Sequence, residues 1–456
     1  MNHELEWAHP LIQKWFYSRL GMPTEPQIQG WPHILAGKNT LISAPTGSGK
    51  TLTAFLICLD QLVRQALAFN LPQTEVLYIS PLKALGNDVR KNLLTPLAEI
   101  KELALEQGLP MADIEVVVRS GDTPAKERQA MLKKPPHILV TTPETLYILL
   151  TADKSREILK TIHTVIIDEI HALADDKRGA HLTLSLERLE ALLEKPPLRI
   201  GLSATQKPLD VMGHFLVGNG RPLPELIDIG HARNLELAVE VPQSELGAVA
   251  SNQAWEEIYD RLAEFSAANR STLIFANTRR VAERVAHHLA ERLGKDQVLA
   301  HHGSLAKKLR LVAEDKLKNG ELKALVATAS LELGIDIGSV DLVCQLGSPR
   351  SIAVMLQRAG RAGHWHGAIS KARIFATTRD ELVECAALVQ SILEGDLDKL
   401  IIPQQPMDIL TQQIVAACAA QDWEVDALYQ LVCRAFHYHR TYEKLIKTEG
   451  FFSSLI

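Results

Sequence analysis

The chain has 456 residues, of which 46% are hydrophobic and 23% are charged, and its formal net charge at pH 7 is −5. This length is too great for one ordinary core and predicts two or three domains. The composition excludes a disordered chain, and no apolar run is long enough to cross a bilayer. Because the net charge is negative, any nucleic acid must be held by local basic groups and backbone amides.

The N-terminal residues and the cysteines bear on the compartment. The first ten residues contain Glu4 and Glu6 and lack the basic and then apolar pattern of a secretory signal, so a cytoplasmic protein is expected. The five cysteines are odd in number and have no C-x-x-C spacing. This pattern favours reduced thiols over disulfides, zinc or an iron–sulfur cluster.

Short β-branched runs alternate with helical stretches from about residue 40 to residue 205. Continuous apolar strands that alternate with helices predict a parallel sheet covered on both faces, which is a doubly wound α/β lobe. The strands predicted in this first lobe are Thr40–Ser43, Val76–Ile79, Ile138–Thr141, Thr164–Ile167 and Leu198–Leu202. The strands predicted in a second lobe of similar build are Thr272–Ala276, Val298–His301, Ala324–Ala327, Leu342–Gln345 and Ala372–Ala376.

The boundary between the two lobes is predicted where the alternation breaks into sequence that contains Gly and Pro. One alternating run in this part, Leu235–Val241, predicts a connecting strand. The chain after about Leu400 is mainly helical. We therefore expect two tandem doubly wound lobes and a short helical C-terminal region, with a first lobe at 1–225, a linker at 226–252, a second lobe at 253–400 and the helical region at 401–456.

A glycine-rich loop follows the first predicted strand and precedes a helix, which is the context of a phosphate-binding loop. Its backbone N–H groups approach the phosphates, Lys50 neutralises phosphate oxygens and the Thr51 hydroxyl binds Mg²⁺. Ala44 stands where the strict pattern has its first glycine. An ordinary glycine-rich turn is the alternative interpretation. The residues predicted to bind nucleotide are Ala44, Pro45, Thr46, Gly47, Ser48, Gly49, Lys50 and Thr51.

Two adjacent carboxylates, Asp168 and Glu169, come at the C-terminal end of an apolar strand, where open α/β sheets bind ligands. Such a pair alone is often a helix cap. Together with Lys50 it predicts hydrolysis of ATP, in which Asp168 holds hydrated Mg²⁺ and Glu169 orients and deprotonates the attacking water.

A basic segment of the second lobe contains Arg358 and Arg361. An arginine that reaches a γ-phosphate across a cleft stabilises the charge of the transition state. We predict this role for Arg361, with a basic surface turn as the alternative interpretation.

With these three pieces in this order, the chain resembles superfamily 2 DExH/DEAD-type helicases, and most closely the large helicase-related (Lhr-type) group, over about residues 11–391. The resemblance implies two RecA-like lobes and an ATP-dependent helicase that moves 3′ to 5′ on DNA, with a role in DNA repair. It also implies ATP and Mg²⁺ as cofactors, and single-stranded nucleic acid, or a duplex with a single-stranded tail, as partner. The region after about Leu400 looks like the beginning of that group's winged-helix domain.

Further motifs carry the resemblance and suggest individual roles. Pro23–Gln27 looks like the motif that reads adenine, with Gln27 in contact with the base. Asp336 would reach the ribose, and Gln357 and His171 look like the link between nucleotide and lobe closure. For three neighbouring aromatics, stacking on the base and an apolar helix face both stay open, namely Trp15, Phe16 and Tyr17.

Several motifs resemble those with which this family grips the backbone of a single strand, and Ser203–Thr205 resembles the motif that couples hydrolysis to movement. The residues expected to touch the strand are Lys83, Arg119, Thr142, Arg279, His302 and Thr328. For the three candidates of the first lobe, Lys83, Arg119 and Thr142, a solvated loop residue or a helix cap is the alternative interpretation. Because phosphate contacts carry no sequence information, we expect tolerance of base sequence.

One departure concerns His364, where many DEAD-type relatives have another arginine, although the Lhr-type group resembles this chain here. If His364 cannot substitute, Arg361 is the only strong finger candidate and Arg358 is more doubtful. Two other functions stay open: a nucleotide-gated clamp that binds nucleic acid without useful hydrolysis, and a motor that acts on protein or another polymer. ATP turnover separates the first of these from a helicase, and nucleic-acid binding separates the second.

Overall fold

The computed structural model divides the chain into two compact units. It describes residues 3–45, 47–71, 73–81, 89–230, 235–331, 340–363 and 369–439. The first unit consists of residues up to 44, 48–229 and from 399 onward, and the second consists of 45–47 and 230–398.

The first unit is built on a seven-stranded parallel sheet. Its strands are β1 (Thr40–Ser43), β2 (Val76–Ile79), β3 (Val116–Arg119), β4 (Ile138–Thr141), β5 (Thr164–Ile167), β6 (Leu198–Ser203) and β7 (Glu225–Asp228). They lie in the order β3-β4-β2-β5-β6-β1-β7. This sheet confirms the doubly wound fold that the alternation of strands and helices predicts for the first lobe.

Helices cover both faces of this sheet. They are α1 (Pro10–Arg19), α2 (Glu25–Leu35), α3 (Lys50–Leu67), α4 (Thr95–Glu106), α5 (Ala125–Lys133), α6 (Pro143–Thr151), α7 (Asp153–Leu159), α8 (His171–Ala174), α9 (Lys177–Glu190) and α10 (Leu209–Val217). Successive strand residues point to opposite faces. In β2, Val76 and Tyr78 therefore enter one hydrophobic cluster and Leu77 and Ile79 enter another, so all four side chains are buried.

The second unit is built on a six-stranded parallel sheet in the order β10-β11-β9-β12-β13-β8. Its strands are β8 (Leu235–Glu240), β9 (Thr272–Ala276), β10 (Val298–His301), β11 (Ala324–Ala327), β12 (Leu342–Leu346) and β13 (Ser370–Phe375). Its helices are α11 (Asn252–Ala268), α12 (Arg279–Leu293), α13 (Lys307–Lys318), α14 (Ile352–Ala359) and α15 (Arg379–Glu394). In the central strand β9, Leu273 and Phe275 enter one cluster and Ile274 and Ala276 the other.

The run at 235–241, which the sequence predicts as a connecting strand, has a different place. As β8 it forms the edge of the second sheet and pairs with β13 in parallel, with Leu235 opposite Ser370 and Glu240 opposite Phe375. Its alternating pattern suits an edge strand, because only part of its surface is covered. Strands of both sheets thus occupy part of the span predicted as linker.

The C-terminal residues belong to the first unit, although they follow the second unit in the chain. Two helices form this segment, α16 (Met407–Ala420) and α17 (Val425–Arg434), followed by a short 3₁₀ turn at Phe436–Tyr438. Their apolar side chains pack against Ala180 and Leu184 of α9 in one cluster. We call residues 399–439 the C-terminal segment.

Three other short helical turns complete the described elements, at His3–Leu5, Arg90–Leu94 and Ala329–Leu331. No helix among the described residues is long and apolar enough to cross a membrane. All five cysteines carry free thiols.

Candidate nucleotide and nucleic-acid sites

The predicted phosphate-binding loop connects β1 to α3. Gly47 and Gly49 have φ values of +78° and +88°, a conformation that L side chains rarely adopt. Gly49 caps α3, whose first N–H groups have no partner within the helix and therefore suit an anion. Lys50 is buried at the start of this helix, and the buried Oγ of Ser48 has no hydrogen-bond partner in the described part of the chain. These groups form a cradle of donors that suits phosphate.

Gln27, the predicted adenine contact, lies beside this loop. It is buried in the first turn of α2, where its Oε1 accepts a hydrogen bond of 2.9 Å from the Thr24 N–H. A Cβ placed on Gly49 would lie 3.0 Å from both Gln27 Nε2 and Thr24 Oγ1. The glycine is therefore needed for the close approach of α2 as well as for its backbone conformation.

The carboxylate pair follows β5 directly. The N–H of Asp168 donates to Ile79 O at 2.8 Å, and its carboxylate accepts hydrogen bonds from the Glu169 N–H at 2.8 Å and from the Tyr78 hydroxyl. Glu169 has φ +45°, a region that residues other than glycine seldom occupy. Such strain is found at functional sites, where the surrounding structure fixes it.

Burial and the neighbouring Glu169 charge raise the pKa of Asp168 to about 6, against the opposing effects of Lys50 and the Tyr78 hydrogen bond. The site thus holds more negative charge than the protein neutralises. A hard cation would offset this charge, and carboxylate and hydroxyl oxygens such as those of Asp168 and Thr51 are the donors that Mg²⁺ prefers. The residues present therefore fit Mg²⁺.

His171 connects the carboxylate pair to the motif that ends β6. Its Nδ1 accepts a hydrogen bond of 3.1 Å from the Ala204 N–H and lies 3.2 Å from Ser203 Oγ. Its Nε2 lies 3.6 Å from Glu169 Oε2. Burial lowers the pKa of His171, and an Nδ1 that accepts from a backbone N–H places the ring proton on Nε2. The imidazole is therefore neutral and presents its N–H towards Glu169.

Two residues of the first unit that are predicted to contact the nucleic-acid strand are buried. Arg119 ends β3 and donates to Ser120 O at 3.0 Å; burial, with the nearby Arg128 charge, lowers its pKa. Thr142 caps α6, where its Oγ1 accepts from the Thr145 N–H at 3.4 Å. Thr142 thus has the capping role that is the alternative for such residues, and its contact with nucleic acid stays a prediction.

Three other residues that are predicted to contact the nucleic-acid strand belong to the second unit. Arg279 begins α12 and donates to Ser304 Oγ. His302 is buried, with Nε2 2.6 Å from Glu283 Oε1, and its Nδ1 has no partner among the described residues. Thr328 is half-buried just after β11, and its N–H donates to His301 O at 3.2 Å.

The arginine segment of the second unit follows α14. Arg358 is buried, donates to Gln345 Oε1, and its guanidinium carbon lies 4.9 Å from the centre of the Phe275 ring. These contacts give Arg358 a place in the core of its unit, in line with the doubt that the sequence raises about it as a finger. Arg361 is also buried and lies just beyond the helix, which contains Gln357.

The aromatics before α2 lie in or against the hydrophobic core, which favours the apolar-face interpretation. Trp15 and Phe16 are buried, and Trp15 Nε1 donates to Glu99 Oε2 at 2.7 Å; Tyr17 packs against the same cluster. Four predicted residues lie outside the described part of the chain, namely Thr46, Lys83, Asp336 and His364.

Sequence reasoning missed two residues that support the site. Tyr78 hydrogen-bonds to Asp168, and Glu283 holds His302. Tyr78 lies inside an apolar strand, and Glu283 lies on a helix four residues beyond Arg279, so neither has a sequence signal that separates it from a core or surface residue.

Two parallel-sheet units in tandem, with a phosphate-binding loop and an Asp-Glu pair at strand ends of the first, define the class of RecA-like P-loop proteins to which superfamily 2 helicases belong. Family models match the chain in three parts: DEAD/DEAH box helicase at 24–211, helicase conserved C-terminal domain at 253–366, and the winged helix domain of large helicase-related protein at 390–447. Together these matches support an Lhr-type superfamily 2 helicase core.

Individual relatives agree with this assignment. ATP-dependent helicase Lhr-Core protein 2 of Thermococcus barophilus is 47% identical over 94% of this chain and 50% of that protein. Lhr helicase/uracil glycosylase of Escherichia coli is 40% identical over 93% of this chain and 31% of that protein. The structure of Mycobacterium smegmatis helicase Lhr bound to ssDNA and AMP-PNP has a TM-score of 0.88 and 44% identity, covering 96% of this chain and 57% of that one. The chain thus spans half or less of these two curated relatives.

Proposed function

We propose that this chain is the motor core of an ATP-dependent DNA helicase, which hydrolyses ATP with Mg²⁺ and moves along single-stranded DNA from 3′ to 5′. The observation that carries the proposal is the group formed by Lys50, Asp168, Glu169 and His171 in the first unit, where a cradle for phosphate and a strained carboxylate share one site. A role in DNA repair and a cytoplasmic location are further parts of the proposal.

In the proposed reaction, water forms a bond to the γ-phosphorus while the bond to the β-phosphate oxygen breaks, and Glu169 accepts the proton of the water. Lys50 is buried, so its charge would act on the phosphate oxygens with little screening by solvent. Arg361 would stabilise charge on the γ-phosphate during the same step. Bound Mg²⁺ supplies charge neutralisation on the phosphates, and Asp168 and Thr51 would hold it.

His171 is the residue that would report the state of the nucleotide to the rest of the motor. It contacts Glu169 with one ring nitrogen and the backbone of Ala204 with the other. Movement of Glu169 when the γ-phosphate leaves would therefore shift His171 and, through it, the backbone of Ser203–Thr205. Gln357 of the second unit would complete this link.

Nucleic acid is proposed as the track because the M. smegmatis relative was solved with ssDNA and AMP-PNP. The groups expected to hold the strand are backbone-binding types, so affinity for different base sequences should be similar. Of these groups, five lie in the described part of the chain, namely Arg119, Thr142, Arg279, His302 and Thr328. Polarity comes from the resemblance to the Lhr-type group.

A strand-displacement assay tests the proposal. Three duplexes of the same sequence carry a 3′ DNA tail, a 5′ DNA tail or a 3′ RNA tail. We expect ATP, and not a non-hydrolysable analogue, to drive unwinding from the 3′ DNA tail. Unwinding only from the 5′ tail would overturn the polarity, and a preference for the RNA tail would overturn DNA as the track. ATP-dependent binding of all three without displacement or hydrolysis would favour the clamp.

A further inference from the structure

A small pocket lies within the first unit, where α6, α7 and α9 meet the C-terminal segment. Its enclosed space is only about 10 Å³, close to the least that holds one water molecule. The pocket therefore has room for a single small ion or water molecule and not for a nucleotide. Its walls include the apolar side chains of Leu150, Leu192 and Ala417, together with Arg156, Arg188 and Trp423.

Arg188 is a buried cation whose partners in the described part of the chain are all uncharged, including the Tyr147 ring, whose centre lies 5.7 Å from the guanidinium carbon. Its side chain is 6% exposed, and it donates to Gln413 Oε1 at 2.8 Å, Ala416 O at 3.3 Å and Leu150 O at 3.4 Å. No carboxylate in the described part of the chain forms an ion pair with it. Burial, with the nearby Arg156 charge, lowers the pKa of Arg188 to about 10. An uncompensated buried charge is costly, and a counter-ion would remove this cost.

Among the other polar side chains of the pocket, Arg156 and Trp423 are donors, and the Gln421 amide has both a donor and an acceptor. Arg156 donates to Ala420 O at 2.8 Å, and its ion-pair partner Asp153 is 3.5 Å away and 87% exposed, so this pair is well screened by water. The buried Nε1 of Trp423 has no acceptor in the described part of the chain. The indole N–H therefore adds a third donor to a pocket that already contains two guanidinium groups.

The carbonyl groups at the end of α16 offset only part of this positive charge. Ala416 and Ala420 are in the last turn of that helix, and a helix C-terminus carries about half an elementary negative charge. Arg156 and Arg188 together carry two full positive charges. The balance in the pocket is therefore positive, and the apolar walls disfavour a strongly hydrated dianion because its dehydration is costly.

We propose that this pocket binds one compact monovalent anion, for which chloride is the physiological occupant. The anion would lie where the C-terminal segment packs against the rest of the first unit. Both arginines already donate to carbonyl groups of α16. By neutralising them, the anion stabilises the packing of this segment on α7 and α9. The proposal is independent of ATP hydrolysis.

Chloride-35 NMR of the 456-residue chain tests this site, because a bound chloride exchanging with solution broadens the chloride line. We expect excess broadening at millimolar chloride that bromide displaces. Arg188→Met, which keeps similar volume without the charge, loses the excess broadening. Arg156→Met, at the mouth of the pocket, also weakens it and serves if the first variant does not fold. Arg261→Met on α11, which removes an exposed arginine of the second unit, retains it.

Two results would overturn the site. One is equal broadening in the parent and in folded Arg188→Met and Arg156→Met variants, which would place the bound chloride elsewhere. The other is the absence of broadening that bromide displaces in the parent, or its appearance only at molar chloride.

Discussion

At the scale of residues, the carboxylate pair after β5 lowers the stability of the free protein. Asp168 and Glu169 are adjacent and buried, and Glu169 has a left-handed backbone conformation. The Tyr78 hydroxyl and the Lys50 charge offset only part of this cost, since the pKa of Asp168 is still raised. A site that binds a cation and a nucleotide is expected to cost folding free energy when both are absent.

This cost predicts a pH-dependent gain in stability for Asp168→Asn without nucleotide or Mg²⁺. A carboxyl group whose folded pKa is raised to about 6 favours folding only while it is protonated, so the parent loses stability as pH rises from about 4 through 6. The asparagine variant does not. At pH 7 we expect it to be more stable by up to about 3 kcal/mol, the equivalent of roughly two pKa units.

Urea unfolding at pH 5 and pH 7 measures this difference. The gain should shrink at the lower pH, and the exposed control Asp296→Asn should show no such pH-dependent gain. A variant that is less stable than the parent at pH 7 would contradict the account, because it would mean that the ionised Asp168 is fully compensated in the free protein.

At the scale of elements, the start of α3 depends on one glycine. Gly49→Ala forces a side chain into a φ of +88° and places its Cβ 3.0 Å from Gln27 and Thr24. An L residue pays about 1–2 kcal/mol for such a conformation, and relief of the contact requires α2 or the loop to move. We expect ATP affinity to fall by at least about tenfold, or about 1.4 kcal/mol.

Titration with a fluorescent ATP analogue measures this effect. Gly37→Ala is the matched control, because Gly37 also has a positive φ, +71°, but faces open space. It should lose some stability and keep its ATP affinity. Equal loss of affinity in both variants would show that backbone strain alone, and not the contact with Gln27, is responsible.

A second element-level feature is the anchor of the C-terminal segment. Glu187 of α9 is 1% exposed and contacts Arg199, Arg221 and Arg434 at 2.8–3.0 Å. Although burial acts in the opposite direction, these arginines hold the pKa of Glu187 below its usual range. Arg434 belongs to α17, so the buried carboxylate joins the segment to α9.

Asn219 completes this anchor. Its side-chain amide donates to Ala435 O at 2.7 Å and to Cys433 O at 3.0 Å. Asn219→Ala leaves these carbonyls without that donor, and we expect a loss of about 1–3 kcal/mol in the free energy of unfolding. The rate of thiol labelling at Cys433 should rise as the segment detaches more often. Asn319→Ala, which removes an exposed amide, is the control. Unchanged labelling in Asn219→Ala would contradict the anchoring role.

Strand positions were predictable where the sequence is continuously apolar, as in β1, β2, β4, β5 and β9. The two strands missed in the first sheet, Val116–Arg119 and Glu225–Asp228, are its edges. Edge strands are covered less, and the second has only two apolar residues between two acidic ones, a run too short to stand out. The pairing of β8 with β13 also could not be predicted, because β13 lies about 130 residues later in the chain and no local sequence pattern specifies the pairing.

At the scale of the whole molecule, chain order and packing order differ. The C-terminal segment follows the second unit in sequence but packs with the first. The sequence predicts a mainly helical region after about residue 400, yet only contacts such as those of Glu187 with Arg434 reveal which unit it packs with. The same limit applies to the site: the phosphate loop and the Asp-Glu pair have sequence signals, whereas the support from Tyr78 depends on which strands are neighbours.

The central claim is that this chain couples nucleic-acid binding to ATP hydrolysis through Glu169. Steady-state ATP hydrolysis with Mg²⁺, with and without single-stranded DNA, measures this directly in the parent and in Glu169→Gln. The matched control is Glu264→Gln, which changes an exposed carboxylate on α11 of the second unit that is paired with Arg261.

We predict hydrolysis that single-stranded DNA stimulates in the parent and in Glu264→Gln. In Glu169→Gln, hydrolysis should fall by about 10²-fold or more while ATP binding persists, as expected on loss of a general base. Hydrolysis that persists in Glu169→Gln, or that DNA leaves unchanged in the parent, would contradict the account.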